Sequence, residues 1–150
     1  MSAAALSAQH AVVLEAMLAR LIPADDLGPG AREAGVSRYV ETALGDWHAH
    51  HLDAYAEGLA TLEQRALAAH GYGFARCDEA QQDSLLAQTE RDGAFFELVR
   101  THAIEGMFGD PRWGGNAGGA GWKLLGYPGP REQWTAAEQR LEKLPAGRPR

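Results

Sequence analysis

The chain has 150 residues, 45% hydrophobic and 23% charged, with a formal net charge of −6. A chain this long reads as one domain and can bury roughly 70% of its unfolded surface, so its core needs neither disulfides nor a metal. The acidic balance argues against a nucleic-acid partner, which calls for a basic face. Arg148 and Arg150 form a short basic end that reads as a solvated tail.

Cys77 is the single cysteine, which excludes an intrachain disulfide framework and a multi-cysteine zinc site. Asp78 beside it opposes thiolate formation, so Cys77 reads as a structural thiol. No window reaches the ~20 apolar residues of a membrane span. The opening MSAAALSAQHAVVLEAMLARLIP has neither a basic n-region nor a twin-arginine pair, so it does not read as a signal peptide.

In chain order, the apolar spacing is helical up to Gly109. Val13, Leu14, Met17, Leu18, Leu21 and Ile22 share one face of a first helix, which Pro23 stops. A second helix is expected over about 31–44, burying Ala34, Tyr39, Val40 and Leu44. A third is expected over about 46–70, burying Leu52, Tyr55, Leu59, Leu62, Ala66 and Leu67, with Gly71 and Gly73 closing it. Asp78 three residues before Gln81 is a capping-box signal for a fourth helix with Leu85, Leu86 and Thr89 inward. A fifth, over about 93–108, carries Phe95, Phe96, Leu98, Val99, Ala103, Ile104 and Met107. Thr135 can cap a short last helix, AAEQRLEKL. No strand pattern occurs. The expected fold is an all-α, single-domain bundle of about five to six helices with a long ordered glycine- and aromatic-rich loop, and with flexible ends over 1–8 and 145–150.

That loop, GDPRWGGNAGGAGWKLLGYPGP (109–130), holds eight glycines, three prolines, two tryptophans and a tyrosine in twenty-two positions. Glycine and proline exclude a long helix, and the aromatics exclude an ordinary flexible linker. Gly114-Gly115-Asn116 suits a turn at positive φ, and Tyr127-Pro128-Gly129 a second turn. Gly118, Gly119 and Gly121 would let backbone approach backbone. No phosphate-binding pattern is present. Rigid aromatics and the exposed Arg112 are the groups that interfaces favour.

Two histidine motifs compete for a chemical role. In WHAHHLDAY, His48 and His51 lie one turn apart beside His50 and Asp53, which could share a metal; without a His-Glu-x-x-His or Glu-x-x-His pattern the group reads as a solvated face. In RTHAIEGMF, His102 and Glu105 stand at i, i+3 and read as braces for the backbone of the loop that starts one turn later. No activated nucleophile accompanies them. The competing readings are a metal-dependent helical-bundle enzyme using His48, His51, His102 and Glu105, and a sugar-binding domain stacking its ligand on Trp113 and Trp122.

LIPADDLGPGAREAGV (21–36) and RTHAIEGMFGDPRWGGNAGGAGWKLLGYPG (100–129) together resemble the gluconate 2-dehydrogenase subunit 3 family. The resemblance implies a non-catalytic small, or gamma, subunit of a membrane-associated sugar, sugar-acid or polyol dehydrogenase. Its partner would be a large FAD-dependent subunit of the glucose–methanol–choline type, with a cytochrome c subunit as a further partner and no cofactor or metal in this chain. The family's small subunits escort the folded flavoprotein to the periplasm, where they stay on the periplasmic face of the inner membrane and touch it only through the complex. The missing twin-arginine signal leaves a cytoplasmic complex, or export on the partner's signal, as alternatives. Carried onto this chain, the motif positions are His102, Glu105, Phe108, Asp110, Pro111, Trp113, Gly114, Gly115, Asn116, Gly121, Trp122, Lys123, Gly126, Tyr127, Pro128 and Gly129. With Arg112, they are expected to hold the loop and face the large subunit.

Overall fold

Ser7 starts the architecture: its side-chain oxygen accepts the His10 amide at 3.1 Å and caps helix α1, Ala8–Leu21. Four more helices build the bundle: α2 (Val36–Leu44), α3 (Leu52–His70), α4 (Glu79–Asp92) and α5 (Ala94–Phe108). A short α6 (Ala120–Leu124) follows inside the glycine-rich loop. The computed structural model describes residues 5–130, and no strand occurs among them. The chain is all-α, as its periodicity predicts. Positions 5–8 belong to this ordered start, whereas 1–4, 145–150 and the helix expected after Thr135 lie outside the described residues.

The core forms where the apolar faces meet. Leu14, Met17, Val40, Tyr55, Leu59, Val99 and Met107 are fully enclosed. Leu67 and Ile104, expected inward, are half exposed instead, each lying at the border of its helix's apolar arc. Helix α5 packs against α2 and α4 and touches α1 and α3, so it is the central element. Gly106 permits its close approach to α2: a Cβ there would press on Tyr39 and Val36. The capping box at α4 forms as expected, with Asp78 Oδ1 accepting the Gln81 amide and Gln81 Oε1 accepting that of Asp78.

Two helices begin later than the periodicity suggests. Gly35 sits at φ +66°, a left-handed conformation that a helix interior excludes, so α2 starts at Val36. The third helix is preceded by a 3-10 turn, Ala49–His51, and the His48 amide reaches back to the Ala43 carbonyl at 2.7 Å. That turn folds the histidines back over the bundle toward α5. Among the described residues no helix is long and apolar enough to cross a membrane.

Candidate functional site: a capped helix end beside a histidine cluster

An α-helix leaves its last carbonyls without partners, and the loop after α5 supplies them. The Asn116 amide donates to the Gly106 carbonyl at 2.7 Å, Asn116 Nδ2 to the Gly109 carbonyl at 2.8 Å, and Trp122 Nε1 to the Phe108 carbonyl at 2.7 Å. Asn116 Oδ1 in turn accepts the Gly121 amide at 2.8 Å, and the Ala117 amide donates to Ala34 between α1 and α2. Asn116 is 1% exposed, and with φ +46° it is the only non-glycine residue at positive φ among the described residues. Its short side chain tolerates that conformation and binds backbone from it. The loop is therefore a single hydrogen-bonded cap seated on the end of α5.

The glycines divide into two kinds. A Cβ on Gly115 would collide with the Gly106 carbonyl, and one on Gly121 with the Met107 carbonyl. Gly118 and Gly119, expected to serve close approach, have open space around them and are required for φ of +62° and +71° instead. Gly114 and Gly126 also take positive φ, at +104° and +63°. Gly129, at φ +96°, is buried under the Trp122 ring.

The loop's side chains then face outward or inward. Asp110 caps the 3-10 turn Pro111–Trp113 and holds Arg112 at 2.7 Å, so the arginine is exposed but paired. Trp113 is 50% exposed and meets the partly exposed Trp47 edge-on at 5.3 Å, with Tyr39 and Asp46 lining the same shallow depression. Trp122 is pinned by Phe108 and stacked edge-on against Tyr127 at 5.2 Å, which removes it from the role of a free sugar platform. Phe108 packs on the core. Lys123 and Leu124 line a groove with Leu27, while Leu125, Tyr127 and Pro128 are exposed.

His102 and Glu105 do not brace the loop backbone. They point to the other side of α5, where His102 Nδ1 shares a 2.9 Å hydrogen bond with the Tyr55 hydroxyl and Glu105 Oε2 accepts that of Tyr39 at 2.8 Å. The His48 ring stacks on His102, centroids 4.3 Å apart and planes 17° apart, and its Nε2 lies 3.5 Å from Glu105 Oε2. His51 is 5.5 Å from His102 by ring centroid, and His50 is outermost. The two motifs that the sequence separates by more than fifty residues thus become one cluster. Asp53 stays exposed and outside it.

Burial, then the neighbouring His48, pulls the His102 pKa down to about 4, so this imidazole is neutral at ordinary pH. Burial and the Glu105 carboxylate push Tyr39 up to about 12, and burial raises Tyr55 as well, so both phenols keep their protons. Burial, followed by His50 and His48, also lowers His51. Cys77 is buried, and its thiol is pushed up by that burial and by Asp78, which makes it unreactive. Tyr39, Tyr55 and Trp47 were legible as apolar or aromatic positions but not as partners of this cluster; only the long-range pairing reveals them.

Fold and site together define a small all-α protein whose helix α5 is sealed at its end by a rigid glycine- and aromatic-rich cap. The family model of gluconate 2-dehydrogenase subunit 3 matches residues 8–129, and the chain belongs to that family. Neither curated proteins nor solved structures contain a match to it. Membership makes it a subunit of a dehydrogenase complex, which implies a catalytic partner.

Proposed function

We propose that this chain is the non-catalytic small subunit that binds and stabilises an FAD-containing large subunit of the glucose–methanol–choline type, which oxidises a sugar, sugar acid or polyol. The observation that carries the reading is the cap itself. Asn116 and Trp122 tie it to the end of α5 by hydrogen bonds, while Trp113, Leu124, Leu125 and Tyr127 are presented to solvent and Trp47 and Leu27 extend the same apolar character. Aromatic groups held on a rigid frame bind with little loss of conformational freedom, which suits them to an interface. Family membership supports the dehydrogenase partner. On the same reading the subunit escorts the folded flavoprotein to the periplasmic face of the inner membrane, where a cytochrome c subunit takes the electrons.

Co-expression with the large subunit tests this directly. The flavoprotein should be soluble, FAD-loaded and active with this chain and poorly folded without it. A flavoprotein equally stable and active alone would overturn the proposal.

A further inference from the structure

We propose that His48, His102 and Glu105 form a binding site for a first-row divalent transition metal of the zinc class. The donor atoms of His48, His102 and Glu105 all lie within 4.8 Å of one another. Ligands around a tetrahedral zinc, each about 2.1 Å from the ion, sit about 3.4 Å apart. His48 Nε2 and Glu105 Oε2, at 3.5 Å, already meet that spacing. Imidazole nitrogens with one carboxylate oxygen are a donor set that suits zinc and its neighbours.

Two further observations point the same way. Each α5 ligand has an outer partner of the kind that orients metal ligands. Tyr55 holds His102 through Nδ1, which leaves Nε2 as the donor, and the Tyr39 hydroxyl fixes one oxygen of Glu105. His48, by contrast, is unsettled: its Nδ1 is buried without any hydrogen-bond partner among the described residues. An unmet buried polar atom costs about 1–3 kcal/mol, and no hydrogen bond through Nδ1 holds the ring in its present orientation. The His48 ring lies flat on His102, so their in-plane lone pairs do not converge as they stand. Binding therefore requires His48 to turn about its Cβ–Cγ bond, which gives up the 3.5 Å contact of its Nε2 with Glu105 in exchange for a shared ion. A bound ion would tie the 49–51 turn to α5, a structural role independent of partner docking.

Titration of the metal-free, untagged full chain with Co2+, followed by displacement with Zn2+, tests the site. One equivalent should produce the visible absorption of a low-coordinate cobalt ion and raise the thermal midpoint. His48→Ala and Glu105→Gln should abolish the signal, and Tyr39→Phe should weaken binding about tenfold or more. His50→Ala should leave it intact, with circular dichroism showing each variant folded. The site is refuted if the folded wild-type chain shows no saturable binding, or if Glu105→Gln binds as tightly as wild type. Loss of binding in His50→Ala with retention in Glu105→Gln would also refute it, by assigning the ion to the exposed histidines alone.

Discussion

Asn116 Nδ2 donates to the Gly109 carbonyl at 2.8 Å, and this bond ties the middle of the glycine-rich loop to the point where α5 ends. The same side chain accepts the Gly121 amide, so one residue joins both halves of the cap. Asn116→Ala leaves the Gly109 carbonyl and the Gly121 amide without partners and puts at positive φ a residue that tolerates it less well than asparagine. The expected loss is about 2–4 kcal/mol of stability. Asn116→Gly removes the backbone strain and should recover about 1 kcal/mol of it. Urea unfolding of the two variants checks both the size and the order of these losses.

The loop glycines should not be equivalent. Gly115→Ala drives a methyl group into the Gly106 carbonyl, backbone against backbone, and should cost about 3 kcal/mol or detach the cap from α5. Gly118→Ala meets nothing and bears only the strain of φ +62°, about 1 kcal/mol. Thermal midpoints that fell equally for the two would contradict the distinction between contact and conformation.

Stability should depend on pH through His102. Its folded pKa is depressed to about 4, below the ~6.5 of an unfolded histidine. The unfolded chain therefore takes up the proton first, and this contribution to stability is full above pH ~6.5. It is lost as the pH falls toward 4, with a slope of at most about 1.4 kcal/mol per pH unit. His102→Gln can keep a hydrogen bond to Tyr55 but does not titrate. In metal-free buffer, its urea midpoint should vary less between pH 6.5 and 4 than that of the wild type.

The exposed aromatic pair separates folding from assembly. Trp113→Ala removes a half-exposed ring whose main contact is Trp47, so the free subunit should lose only about 1 kcal/mol. Affinity for the flavoprotein subunit should fall by about 2 kcal/mol, near thirtyfold, if the ring is an anchor. Surface-immobilised binding of the large subunit measures that difference, and an unchanged affinity would remove Trp113 from the interface.

Much of this architecture was written locally. Heptad-like apolar spacing identifies α1, α3, α4 and α5, and the Asp78–Gln81 box marks the start of α4, because these signals act within one or two helical turns. The density of glycine and aromatic residues in 109–130 marks an ordered loop before any fold is known. The late start of α2 was harder to read, since nothing near Ala31 announces that Gly35 turns left-handed. The short α6 was equally hidden inside a glycine-rich stretch, where local propensity opposes a helix that the cap stabilises.

What the amino-acid sequence determined by itself is the all-α character, the positions of the main helices and the family's loop motif, because helix periodicity and turn chemistry are short-range. Only the tertiary structure decided that His48 meets His102 and Glu105 across more than fifty residues, that both α5 side chains turn away from the loop, and that Asn116 seals the helix end. Those pairings depend on how far one helix may approach another, as Gly106 permits α2 to approach α5, and on which carbonyls remain without partners when the bundle closes. Neither quantity exists until the chain is folded.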